Sequence, residues 1–296
     1  MPVGTTITVR KPCLAIRVKE GGQLLFPEKY YAEITPVLTE LGVPRATIPV
    51  MAQTLDPSEV AAVQEIAKQE DFSATIGNLL PEIAEWAGIQ SAHLTVYISA
   101  LFDHYAWIDR NGWSIVVKPA NPEPFPQYNC VQFAHALAHC ARYACARENY
   151  LANGLDFYVR EGRRHFRVDM PLAEDVVNEG IAIAGARIIV PDYYMRNDPV
   201  PWYDATTTAL IKQFFALRDA QGDDRVLFMG NRSAFPTEEW REFPGEMVFA
   251  GHYLGLLLAN QAYLEAGVPW SELLEKPAGN IIGLAFARLR RPREAE

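Results

Sequence analysis

The segment Val131-Gln-Phe-Ala-His-Ala-Leu-Ala-His-Cys-Ala-Arg-Tyr143 constrains this chain more than any other, because it sets two histidines four residues apart in an otherwise apolar run. The pattern predicts a long helix from Tyr128 to about Tyr150, with Val131, Phe133, Ala134, Leu137 and Ala138 around the pair. Residues i and i+4 of a helix share a face, so the imidazoles of His135 and His139 can reach one ion. Burying unpaired imidazoles there is costly, so ion ligation or a polar partner must compensate. The whole chain has six histidines, which makes two in one apolar helix a concentration.

About forty residues on, Val177-Asn-Glu-Gly-Ile-Ala-Ile-Ala184 offers a second polar residue in apolar surroundings, Glu179, flanked by Val176, Val177, Ile181 and Ala182. The expected helix runs from Pro171 to Val190, with Asp169 as its N-cap and Glu174 and Asp175 near its positive end. Its small residues from Gly180 to Ala186 permit close packing on the histidine helix. A Glu179 carboxylate would complete a three-ligand set and leave one coordination position open. Ion pairing with Arg142 or Arg147 is the competing role for Glu179. Ligand type alone does not choose between Zn2+ and Fe2+, since two histidines and a carboxylate also describe the facial triad of iron sites. The helical spacing of the histidines favours zinc.

His135-x-x-x-His139 with Asn178-Glu179-Gly180-x-Ala182 resembles the gluzincin zinc metallopeptidases, and within them a family of predicted cytosolic zinc-dependent proteases. That family follows an H-E-x-x-H helix with an E-G-x-A helix, a phenylalanine-glycine stretch and a G-Y-x-x-G helix. Here Leu227-Phe-Met-Gly230, Phe243-Pro-Gly245 and Gly251-His-Tyr-Leu-Gly255 come in that order, so the resemblance covers about residues 90 to 285. It implies a zincin-like domain, zinc on His135, His139 and Glu179, and hydrolysis of an amide bond in a peptide or small molecule. His252 and Tyr253 stand at the place of the family's aromatic, and either could donate to a developing oxyanion. Glu174, Asp175 or Asn178 could orient a histidine N–H. Trp113 to Lys118 resembles the edge strand on which zincins lay an extended peptide.

Ala136 departs from that pattern. In H-E-x-x-H the glutamate takes a proton from metal-bound water and delivers it to the leaving amine, and alanine can do neither. The chain as written therefore reads as an inactive variant made by substitution, a natural pseudo-peptidase, a non-hydrolytic metalloenzyme on the same ligands, or a non-catalytic metal- or peptide-binding protein.

A formal charge of −9 argues against nucleic acid as a partner, since phosphate binding needs a basic surface. The basic run Arg288-Leu-Arg-Arg-Pro-Arg293 reads as a solvated helix end. No window approaches about 18 apolar residues, so no membrane span is expected. No export signal is visible at the start, which points to the cytoplasm and to reduced thiols. Cys140 and Cys145 lie five apart, on different helix faces, and read as core thiols.

The expected fold is α+β and mostly helical. Residues 1–89 form a helical N-terminal lobe after an initial extended segment interrupted at Pro12, with helices at Pro27–Leu41, from Asp56, and at Ser73–Ala87 stopping at Gly88. Residues 90–296 form the zincin-like domain. In it, His93–Ala100 and Trp113–Lys118 flank the turn signal Asp109-Arg-Asn-Gly112 and predict a short antiparallel sheet. Further helices are expected at Asp204–Ala220, at Gly245–Gly267, and from Ser271 to about Arg288 with a break near Pro277.

Overall fold

The computed structural model describes residues 4–10, 17–18, 24–25, 58, 61–63, 65–66, 72–98, 104–109, 112–118, 128–148, 170–190, 205–221, 224, 228–229 and 250–289. In chain order the elements are β1 (Gly4–Arg10), β2 (Arg17–Val18), β3 (Leu24–Leu25), α1 (Phe72–Trp86), β4 (Ser91–Ile98), β5 (His104–Asp109), β6 (Gly112–Val117), α2 (Tyr128–Cys145), α3 (Leu172–Ile189), α4 (Ala205–Leu217), α5 (Ala250–Ala266), α6 (Trp270–Leu274) and α7 (Ala278–Leu289). The described chain is mostly helical. The helix expected at Pro27–Leu41 and the stretch Phe243-Pro-Gly245 lie outside the described residues.

The four-stranded sheet has the order β1-β4-β6-β5. β1 pairs with β4 in parallel from Gly4↔Ser91 to Arg10↔Tyr97, so the regions divided at residue 89 share a sheet. The expected antiparallel pairing of His93–Ala100 with Trp113–Lys118 is not what forms. β4 and β6 run parallel, in the register Leu94↔Trp113 to Ile98↔Val117. The turn signal does close a hairpin, but with β5, which pairs antiparallel to β6 from His104↔Val117 to Asp109↔Gly112. Asp109 pairs with Gly112, so the signal joins the two strands that flank it directly in sequence. Gly112 takes φ 121°, and a Cβ there would strike the backbone of His93 on β4, so glycine is needed both for the turn and for the docking of β6.

The same order corrects the edge-strand expectation. β6 has β4 on one side and β5 on the other, so Trp113–Val117 has no free edge for a peptide. Its burial agrees: Trp113 to Val117 are all buried, as expected of an interior strand, whereas β4 alternates exposed with buried over Ser91–Leu94.

α2 packs against β5 and β6 of the sheet, against α1 and against α3. Every residue from Val131 to Tyr143 is buried, so α2 is a central helix. α3 is nearly as enclosed, with Asp175 to Ala186 all buried. Its first amides, Leu172 and Ala173, donate to the carbonyls of Ala220 and Arg218 beyond the end of α4, which cap it in place of a side chain. α1 ends as expected at Gly88, where φ is 70°, with Ile89 N–H on the Ala84 carbonyl and Gly88 N–H on that of Glu85. The expected break near Pro277 separates α6 from α7.

Candidate metal centre

His135 and His139 lie one turn apart on α2 and turn their Nε2 atoms to within 3.0 Å of each other. Their rings stand edge to face, with centroids 4.6 Å apart and planes at 81°. One turn further along, Tyr143 stacks on His139 at 5.7 Å and 27°, which limits rotation of that ring. The sequence pattern does not single out Tyr143, although its i+4 offset from His139 is a signal for such a contact.

Glu179, from the middle of α3, completes the group. Its Oε2 is 3.2 Å from His135 Nε2 and 3.1 Å from His139 Nε2, and all three side chains are buried. The three donor atoms lie within 4.8 Å of one another, so the structure holds a buried His-His-Glu group able to take a metal ion. The spacing fits a single ion. Bonds of about 2.0–2.2 Å to a tetrahedral zinc put neighbouring donors about 3.3–3.6 Å apart, so the three side chains need to open by only a few tenths of an ångström.

Burial raises the energy of an ionised Glu179, but the charges of His139 and His252 and the hydrogen bonds from His135 and His139 outweigh it. They hold the carboxyl well below the usual carboxylate range. The site is built to keep an anion.

His252, on α5, reaches the same atom: its Nε2 is 3.3 Å from Glu179 Oε2. Local packing explains how a third helix comes so close. A Cβ on Gly180 would overlap the backbone of Gly255, and one on Gly255 would overlap the Val176 carbonyl, so α3 and α5 cross with their backbones in contact. The expected partner of Gly180 is the histidine helix. It faces α5 instead, and Gly185 meets Ala138 of α2.

The other expected residues divide. Tyr253 places its hydroxyl 3.3 Å from Thr207 Oγ1 on α4, in line with the turn of about 100° between helical neighbours. Ala136, 2% exposed, is packed in the core beside His135. Arg142, the competing partner for Glu179, goes elsewhere: its Nε donates to Asn178 Oδ1 at 3.0 Å, its Nη1 to the Leu274 carbonyl, and its Nη2 lies 3.7 Å from Glu174 Oε2. Glu174 also accepts from the Ala278 amide at 3.0 Å. Glu174 and Asn178 therefore both serve Arg142, and Asp175 is buried on the same helix. Cys140 and Cys145 direct their thiols to the carbonyls of Ser114 and Ala87, as core thiols do.

No family model, curated protein or solved structure matches this chain. No described helix is long and apolar enough to cross a membrane.

Proposed function

We propose that this chain is a zinc metalloprotein of the metallopeptidase type, with His135, His139 and Glu179 as ligands, whose scaffold suits hydrolysis of an amide bond in a peptide or small molecule and whose general base is absent as written. The convergence of three buried donor atoms from two helices, at 3.0 to 3.2 Å, carries the reading. When bound, zinc supplies a Lewis acid for a scissile carbonyl and for an attacking water. The chain's own residues do the rest. His135 and His139 present Nε2 lone pairs, and Glu179 keeps its charge in a buried setting. Three protein ligands leave a fourth position for water or substrate. Ala136 offers no acceptor for the proton of that water, so the chain as written lacks the peptidase's general base.

The buried methyl of Ala136 also favours a second reading, in which the same three ligands hold Fe2+ for non-hydrolytic chemistry. Metal analysis of protein purified without added ions separates the two. One zinc per chain, lost in both His135→Ala and Glu179→Gln, is the expected result, with anaerobic Fe2+ leaving the protein inert toward oxygen. Zinc-loaded Ala136→Glu should cleave a peptide library that the parent chain does not. Metal content that survives His135→Ala would sink the metal site itself.

A further inference from the structure

We propose that His252 is a positioning residue for the metal centre, holding Glu179 as a ligand by donating its Nε2–H to the carboxylate. This role rests on the metal reading above and extends the site to a third helix.

Three imidazole nitrogens face one atom, Glu179 Oε2, at 3.1 Å (His139), 3.2 Å (His135) and 3.3 Å (His252). Once a cation sits among His135, His139 and Glu179, both α2 imidazoles direct Nε2 lone pairs to it and have no proton there to donate. His252 lies outside the set of donors within 4.8 Å of one another, so an ion held there does not claim its Nε2, and the 3.3 Å approach to Glu179 Oε2 suits the tautomer that carries its proton on that nitrogen. A carboxylate oxygen has a second lone pair to satisfy, and in a buried carboxylate leaving it unmet is costly. His252 meets it, and so fixes which oxygen faces the histidine pair. The backbone contact of Gly180 with Gly255 sets the distance. α5 therefore belongs to the site, although it supplies no ligand.

Two measurements test this on the full chain. Protein with 15N-labelled histidine, loaded with 113Cd, reports ring nitrogens bonded to the metal through scalar coupling. Two coupled imidazoles are expected, one lost in each of His135→Ala and His139→Ala, and both kept in His252→Gln. Three would overturn the proposal by making His252 a ligand. Zinc affinity, read by competition with a chelating dye, should fall roughly 10- to 100-fold in His252→Phe, the effect of losing an outer partner of a ligand. His252→Gln, whose amide can present an N–H in the same direction, should recover most of that loss. Wild-type affinity in His252→Phe, or glutamine no better than phenylalanine, would overturn it. If the phenylalanine variant does not fold, His252→Ala serves the same comparison. A parent chain that takes up neither cadmium nor zinc refutes the metal reading; one that binds with two histidines but ignores residue 252 refutes only the role of His252.

Discussion

Gly180 and Gly255 meet backbone to backbone where α3 crosses α5, and this contact brings Glu179 beside His252. Alanine at residue 255 would press on the Val176 carbonyl and on Gly180 itself. Gly255→Ala is therefore expected to cost about 1–3 kcal/mol of stability, at the upper end because backbone cannot yield as a side chain can. Its zinc affinity should fall as well. Gly283, exposed on α7, is the control, since an added Cβ there would meet nothing within 4 Å. Gly283→Ala should stabilise by about 0.5–1 kcal/mol. Urea unfolding of both variants measures the pair, and equal midpoints would deny the crossing its tightness.

Glu179 sets a pH dependence with a definite sign. Its folded carboxyl is held well below the usual range despite burial, by His139 and His252 and by hydrogen bonds from His135 and His139. A lowered folded value means that its contribution is fully present above the unfolded value, about 4.3, and is lost as pH falls through the folded one. In chelator, the gap in unfolding midpoint between the parent chain and Glu179→Gln should hold from about pH 6 to about 4.3 and close below it. Metal should also be released as pH falls, because both imidazoles must lose the ion to take protons.

How much of the fold is legible in the sequence depends on the range of each signal. The histidine pair is legible because i and i+4 are local, and Glu179 because a lone carboxylate among Val176, Val177, Ile181 and Ala182 needs a partner. The glycine stop at residue 88 and the break near Pro277 are local in the same way. Strand pairing is not: β4 and β6 both read as strands, but nothing in either states that β5 would take the turn and leave them parallel. The place of His252 is hidden for the same reason. Gly251-His-Tyr-Leu-Gly255 signals close helix packing, and only the crossing with Gly180 shows that His252, rather than Tyr253, turns toward Glu179.

Cys145 should be a poor nucleophile even though it is only partly buried. Burial pushes its thiol up to about 11, the Arg142 cation opposes that, and Glu275 adds to it. At a pH of about 8 its thiolate fraction is then roughly 200-fold below that of an ordinary thiol of pKa about 8.5. Iodoacetamide followed by peptide mass mapping should find Cys145 unlabelled under conditions that fully modify a free small-molecule thiol. Rapid labelling of Cys145 in the folded chain would contradict its packing against the Ala87 carbonyl.

Arg142 is the side chain whose loss the fold should tolerate least. It is 0% exposed and ties α2 to Asn178 and Glu174 on α3 and to the Leu274 carbonyl at the end of α6. Glu174 in turn accepts from the Ala278 amide at the start of α7, so one guanidinium organises the ends of three helices one turn beyond His139. Arg142→Met keeps much of the volume but leaves a carboxylate, an amide and a carbonyl without their donor. Removing one partner of a buried pair typically costs about 3–5 kcal/mol. Arg142→Lys should rescue little, since an ammonium cannot serve three acceptors in the planar fork that guanidinium offers. If the uncompensated Glu174 charge is the main penalty, Arg142→Met with Glu174→Gln should be more stable than Arg142→Met alone. A double-mutant cycle in urea reads that coupling directly, and simple additivity would show that Glu174 at 3.7 Å is a bystander and that the Asn178 and Leu274 bonds hold the helices.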